Sequence, residues 1–333
     1  MNKPILIAFG TRPEEIKISP LLNHGVPIKL LFTGQHEHLL QSKKFDYRIE
    51  PSNGANRLDQ IIADCLTQFP NEEFSAVLVQ GDTASAFGCA LAAFNRKIPV
   101  IHLEAGLRSF DLNHPYPEEG YRLMISRLAA LNLCPTENAK QNLIDEKVPG
   151  FIEVTGNTVL DHLHEFKKDA LYGNHVLITM HRRENHEIMG DWFLEINEIA
   201  RDHSHLRFIL PLHPNPAVQK HRDKLSHVEV IEPLGHRDFL ALLSQSKFLI
   251  TDSGGLQEEG SFFNKRVIVC RETTERPEAL KSGHSILCHF PKDLKKLVLQ
   301  VINNPQINVD CPFGDGKSGK RIAQILMSKN LSH

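Results

Sequence analysis

The chain lacks any apolar run near the roughly 18 residues that cross a membrane. Its opening, MNKPILIAFG, turns polar too soon for a signal peptide. Cys65, Cys89, Cys134, Cys270, Cys288 and Cys311 form no CxxC pair and no zinc-ligand spacing. Those in apolar surroundings suit small buried hydrophobes. Neither sign of charge dominates: the net value of -2 excludes a broadly cationic surface for nucleic acid or membrane but leaves room for a local cationic pocket. Glycine is sparse where a dinucleotide site needs it, because the first strand ends in Gly10-Thr11-Arg12-Pro13 and GxGxxG requires three glycines. The histidines of His36-Glu37-His38 and His162-Leu163-His164 are two apart and cannot share a helix face. These absences predict a reduced, soluble, cytoplasmic protein that uses neither nicotinamide nor a metal.

With 41% hydrophobic residues and 333 positions, the chain has enough for two cores of ordinary size. Short apolar runs bounded by turn residues predict strands at 4–9, 28–33, 76–79, 100–103 and 131–134, then at 176–180, 207–212, 228–231, 248–252 and 266–270. Helices are predicted between them, including 58–69, 84–94, one that follows the 109–122 loop and reaches Leu131, a charged helix over 160–171 and a last one near 317–329. Strands alternating with helices in two runs predict an α/β protein: two doubly wound, Rossmann-like domains facing a central cleft. The boundaries expected are 1–160 for the N-terminal domain and 161–316 for the C-terminal one, with 317–333 packing back on the first. Nearly every polar residue of chemical interest stands at the carboxyl end of a strand, where open α/β sheets bind ligands.

One stretch dominates, Phe248 to Gly260, FLITDSGGLQEEG. A buried strand runs through Ser253-Gly254-Gly255 into a helix, with Ser253 or Asp252 as N-cap. Free N–H groups and the helix dipole there favour an anion such as a diphosphate. Glu259, just inside the helix, is expected to turn sideways and accept hydrogen bonds from ribose hydroxyls. In the other half, Asp82 follows Gly81 at one strand tip and Glu104 stands at the next. Glu118 opens a helix in Pro117-Glu118-Glu119-Gly120-Tyr121-Arg122. Singly, each acid suits a cap or surface ion pair. Together, three acids at element ends of one domain suit acid–base chemistry.

These motifs resemble the non-hydrolysing UDP-N-acetylglucosamine 2-epimerase family. The likeness runs through GTRPEEIKISPL, QGDTASAFGCALAAF, HLEAGLRS, PYPEEGYR, VTGNTVLDHL, MHRREN, LPLHPNP, TDSGGLQEE and RETTERPEAL, covering nearly the whole chain. The resemblance implies a glycosyltransferase-B-like fold, a UDP-sugar partner, a homodimer and no cofactor. It implies acid–base roles for Asp82, Glu104, Glu118 and His181. It places Ser253, Gly254 and Gly255 in a diphosphate cradle, Glu259 on the ribose and Phe239 on the uracil. Arg276 is implied near the diphosphate or sugar, Arg12 and Lys17 in the first loop facing the nucleotide or the catalytic centre, and Arg183 and His213 among the substrate-binding residues.

The reaction so implied makes physical sense. C2 of a nucleotide-bound N-acetylhexosamine has no adjacent carbonyl, so its proton leaves only as UDP departs and C1 becomes cationic. A cationic pocket stabilises the departing diphosphate. One carboxylate removes the C2 proton and another returns one from the opposite face of the 2-acetamidoglucal. Asp82 and Glu118 are the expected pair, with Glu104 orienting the sugar or supporting that pair and His181 donating to the leaving group.

The chain departs from the resemblance in places. It is shorter than usual near 165–175, and at a second, regulatory UDP-sugar site Gln35, Arg182 and His213 match while His38 replaces a glutamine. The loop 110–114 gives no rule for the sugar, and relatives act on diacetamido uronic acids or 6-deoxy sugars. A hydrolysing 2-epimerase is an alternative, but its GDR turn followed by an acid is absent, since this chain reads Gly81-Asp82-Thr83-Ala84. A glycosyltransferase would need an acceptor groove that no aromatic-rich stretch announces, and a nucleotide-sugar sensor would have no use for four acid–base residues.

Overall fold

Seven strands of the first half form a single sheet: β1 (Ile5–Phe9), β2 (Ile28–Phe32), β3 (Tyr47–Arg48), β4 (Ala76–Gln80), β5 (Val100–Leu103), β6 (Ala129–Cys134) and β7 (Phe151–Val154). Their order is β3-β2-β1-β4-β5-β6-β7, and every pairing is parallel. Helices cover both faces of such a sheet, which is why ILIAF, AVLVQ and VIHL read as unbroken runs rather than alternations. The computed structural model describes residues 3–35, 45–169, 172–274 and 276–329, without the side chains of 165, 168 and 169. His36, Glu37 and His38 lie outside the described residues, as do the last two residues of the predicted 160–171 helix.

The second sheet repeats the plan with β8 (His175–Thr179), β9 (Arg207–Pro211), β10 (Glu229–Ile231), β11 (Phe248–Thr251), β12 (Val267–Val269) and β13 (Ser285–Leu287), ordered β10-β9-β8-β11-β12-β13. All five pairings are parallel. In each sheet the strand order reverses once, between β1 and β4 and between β8 and β11. Such a switch point opens a crevice at the carboxyl ends of the two strands.

The chain divides into two compact units, Met1–His162 with Gly314–His333, and Leu163–Phe313. The first is cored on Leu6, Ile7, Phe9, Leu31, Val77 and Leu78 with the small-residue helix Ala84–Asn95 against them. That helix needs Gly88, since a Cβ there would stand 2.9 Å from Cys65 Cβ on the helix Arg57–Thr67. The helix Ser318–Ser328 belongs to this unit: Asp161 accepts from the backbone N–H of Ser318 at 3.0 Å and of Gly319 at 2.7 Å, and Ile322 joins the core beside Leu21. The second unit is cored on Trp192, Phe193 and Ile196 of the helix Met189–Asp202, packed with Phe208, Phe248 and Ile250. Each such side chain, fully buried, contributes about 1.5–3 kcal/mol.

The sequence reading needs three corrections. The charged segment expected as an α-helix over 160–171 is a 3-10 run, Thr158–Asp169. The helix expected to reach Leu131 ends at Leu128, and β6 begins at Ala129. The edge strands β3, β7 and β13 were not expected. Among the described residues no helix is long and apolar enough to cross a membrane.

Candidate active site

In the first unit the loop after β1 is fixed before it does anything else. Thr11 caps the helix Arg12–Ile18 in a capping box, and the buried Glu14 carboxylate accepts from the N–H of Gly10 at 2.9 Å and Thr11 at 2.7 Å. Glu14 also accepts from Thr83 Oγ1 at 2.7 Å, tying the β1 loop to the β4 loop across the switch point. Burial pushes its carboxyl up, against the pull of those donors and of Thr11 Oγ1 at 2.8 Å.

The acids sit on that frame. Gly81 has φ of 68°, a conformation glycine adopts freely, and it turns β4 so that Asp82 projects from the strand tip. Both Nε of Arg122, at 2.9 Å, and Nη2 of Arg122 bond Asp82 Oδ2, leaving Oδ1 with no partner among the described residues. Arg122 also pairs through Nη1 with Glu119 at 3.2 Å. Glu119 is buried and accepts from the N–H of Ser109 and Phe110, each at 3.1 Å. Glu104, held at φ of 66°, accepts from Lys17 Nζ at 2.5 Å and from Gln80 Nε2. Behind both acids lies His102, fully buried, whose Nε2 donates to the Gly81 carbonyl at 2.8 Å. Burial holds its pKa down to about 4, so it is neutral near pH 7. Glu118 is the first residue of the helix Glu118–Leu128 and is half-buried, with no ion-pair partner among the described residues. Arg12 is likewise half-buried at the first turn of its helix.

The second unit gathers cations. Ser253 occupies the N-cap of the helix Gly254–Phe262 but makes no side-chain capping bond. Asp252 does not cap either, contrary to the sequence expectation. It is completely buried and accepts from the N–H of His181 at 3.0 Å and Arg182 at 3.0 Å and from Asn185 Nδ2 at 3.1 Å. The first N–H groups of the helix are therefore left for another acceptor. A Cβ built on Gly254 would lie 3.7 Å from Arg276 Nη1 and 3.8 Å from Arg182 Nη2, so two guanidinium groups flank the turn. Glu258, also buried, accepts from Arg276 Nε at 2.8 Å and fixes that arginine in place. Gly255 is exposed, and a Cβ there would touch nothing within 4 Å.

Around this turn, His181 stacks on His213 with ring centroids 5.4 Å apart, and its Nδ1 stands 3.6 Å from Asp252. Burial is the main influence on His181 and lowers its pKa. Glu259 makes no ion pair among the described residues, and burial plus repulsion from Glu258 push its carboxyl up to about 8. Phe239 lies half-buried in the helix His236–Ser244.

The structure thus brings Asp82, Glu104 and Lys17 together in one unit and Ser253, Gly254 and Arg276 in the other. Arg183 sits exposed on a 3-10 turn, Arg183–Asn185, while its neighbour Arg182 reaches Gly254. Sequence reasoning passed over Arg122, Glu119 and Glu258 as parts of these arrays and matched Arg182 to a second, regulatory site instead. The i,i+3 spacing of Glu119 and Arg122 on one helix was a usable signal. The Glu258–Arg276 pair, 18 residues apart, carried none.

The sequence pattern of a family described as UDP-N-acetylglucosamine 2-epimerase matches residues 22–327. The UDP-N-acetylglucosamine 2-epimerase of Neisseria meningitidis serogroup A is 36% identical over 367 residues, covering 97% of this chain and 99% of that one. A crystal structure of the UDP-GlcNAc 2-epimerase from Neisseria meningitidis bound to UDP-GlcNAc is similar at a TM-score of 0.84 and 34% identity, covering 98% of this chain and 100% of that one. Acinetobacter baumannii MurG, at 12% identity and a TM-score of 0.62 over 99% of this chain and 100% of its own, shares the fold alone. Two parallel sheets of matching order, with an acidic array on one and a cationic glycine turn on the other, agree with these likenesses: the chain belongs to the UDP-N-acetylglucosamine 2-epimerase family.

Proposed function

We propose that the protein is a non-hydrolysing UDP-N-acetylglucosamine 2-epimerase, interconverting UDP-GlcNAc and UDP-ManNAc through elimination of UDP and its re-addition to a bound 2-acetamidoglucal. The observation that carries this reading is the division of charge between the units. One presents carboxylates held on cations, with Asp82 Oδ1 left open among the described residues. The other presents Arg182 and Arg276 beside a helix start whose N-cap Ser253 makes no side-chain capping bond. Proton transfer at carbon needs the first arrangement, and departure of a diphosphate needs the second.

In this reading Asp82 and Glu118 carry the C2 proton on opposite faces, and Glu104, tied to Lys17, orients the sugar. Ser253, Gly254 and Gly255 hold the diphosphate with Arg182 and Arg276, Glu259 takes the ribose hydroxyls, and Phe239 packs the uracil. His181 is neutral when free, because burial disfavours its charge. An arriving diphosphate favours the charged form, which then donates to the leaving group. Arg12, Arg183 and His213 are assigned to substrate binding. The Gly81-Asp82-Thr83-Ala84 turn supports the non-hydrolysing branch, and the enzyme works as a cytoplasmic homodimer. Proton NMR of turnover with a panel of UDP-N-acetylhexosamines tests the proposal: an intact 2-epimeric UDP-sugar is expected as main product. Stoichiometric free N-acetylmannosamine and UDP would assign the hydrolysing branch instead.

A further inference from the structure

We infer that Arg122, backed by the buried Glu119, is a positioning residue that aims the open oxygen of Asp82 at the substrate. The inference rests on the reading of Asp82 as a carrier of the C2 proton. Arg122 spends Nε and Nη2 on one oxygen only, Oδ2, and gives Nη1 to Glu119. A fork bonded to a single oxygen fixes the carboxylate plane and leaves Oδ1 unencumbered, whereas a symmetric two-oxygen pair would occupy both. Glu119 cannot move in response, because both its oxygens accept from the Ser109 N–H and one also from the Phe110 N–H. The same helix carries Glu118 at its first position. Arg122 therefore links the tip of β4 to the helix bearing the second proposed proton carrier, and sets the placement of one against the other.

The charged surroundings of Asp82 are unequal. On the helix side it faces Arg122 with Glu119 behind it. On the β5 side the Glu104–Lys17 pair lies close, with Glu104 Oε2 3.9 Å from where a Gly81 Cβ would stand. Glu14 lies behind Thr83 on the β1 side, and His102 beneath Gly81 is neutral near pH 7. Arg122 is the one cation bonded to Asp82 among the described residues, so removing it takes away both bonds that hold Oδ2 and lets the carboxylate turn.

The test compares Arg122→Met, Arg122→Lys and Glu119→Gln with wild type in kcat, KM and thermal unfolding, on a wild type first shown to epimerise with solvent deuterium entering C2. A wild type without that exchange counts against the reading of function and not against the clamp as such. Arg122→Met is expected to lower kcat by about 10²-fold, the low end of an acid–base contribution. KM should stay within about threefold, because the aimed carboxylate acts on the proton and not on the nucleotide. Arg122→Lys keeps the charge but loses the fork, so its loss of kcat should be intermediate. In an Asp82→Asn background Arg122→Met should cost less than about threefold, because the group it aims is already gone. A folded Arg122→Met enzyme with wild-type kcat, or one whose loss is as large in the Asp82→Asn background, overturns the inference. If Arg122→Met does not fold, Arg122→Lys alone decides: wild-type kcat there overturns it as well.

Discussion

The two units share one strand order and use it for opposite electrostatics. In each, a buried carboxylate stitches the switch point closed: Glu14 reaches from the β1 loop to Thr83, and Asp252 reaches from the β11 loop to the backbone of His181 and Arg182. What stands in front of that stitch differs. The first unit displays acids whose counter-charges, Arg122 and Lys17, are already engaged. The second displays arginines at a glycine turn, with Glu258 as the brace of Arg276. A parallel sheet supplies the location and leaves the sign of the chemistry to a few loop residues. The account therefore assigns proton transfer to the first unit and diphosphate binding to the second, and substitutions should separate the two.

The largest separation is expected from Asp82→Asn and Glu118→Gln. Each should lower kcat by about 10²–10⁴-fold, the usual contribution of a positioned acid or base. UDP affinity by calorimetry should remain within a few-fold of wild type. An amide variant that keeps full turnover would remove that residue from the proton-transfer pair. One that loses UDP binding instead would erase the division between the units.

The reverse pattern is expected at the glycine turn. Neither Gly254 nor Gly255 has the positive φ that would demand glycine, so their small size serves the approach of something else. Gly254→Val projects a branched side chain between two guanidinium groups and should weaken UDP binding by about 10²-fold, near 2.8 kcal/mol. Gly255→Ala meets open space in the fold and should leave thermal stability unchanged or slightly raised. Equal UDP affinity in folded Gly254→Val protein and wild type would show that the anion does not sit at this turn.

Glu259 offers a subtler effect. Its carboxyl is pushed up to about 8, so at neutral pH it is protonated in the free protein. Ribose hydroxyls favour the carboxylate, so UDP binding at pH 7 should release a proton, and affinity should rise as pH passes through about 8. The stability sign is the opposite: the raised pKa favours the fold below the carboxyl's ordinary range, and that contribution is lost as pH rises through about 8. Glu259→Gln should abolish the proton release and cost about 1–3 kcal/mol of UDP affinity, the scale of a hydrogen bond to a charged group. Calorimetry in buffers of different ionisation enthalpy measures the release directly, and its persistence in the variant would assign it elsewhere.

The sequence displayed the interior of this fold better than its margins. Buried strands such as ILIAF, AVLVQ and FLIT are unbroken apolar runs, and period and composition find them. Edge strands escape, because β3 is only Tyr47–Arg48 and β7 carries Glu153 with a half-exposed Phe151. Fewer neighbours mean weaker selection for apolar residues there. At the sites, the strand-tip acids and the Gly-Gly turn are local patterns and legible as such. The partner of each is not: Arg122 is 40 residues from Asp82, Lys17 is 87 from Glu104, and Asp252 is 71 from His181. Asp252 shows the cost, since beside a helix start it reads as a cap and it serves instead as a tertiary clamp.

The central claim, that the C2 proton leaves as UDP departs, is tested most directly by turnover in heavy water with oxygen label in the C1–O–P bridge. The account predicts solvent deuterium at C2 of intact, epimerised UDP-sugar. It also predicts movement of the label into the non-bridging oxygens of the sugar-side phosphate, with free UDP only as slow leakage. Robust epimerisation that shows neither deuterium at C2 nor label movement would contradict elimination and re-addition.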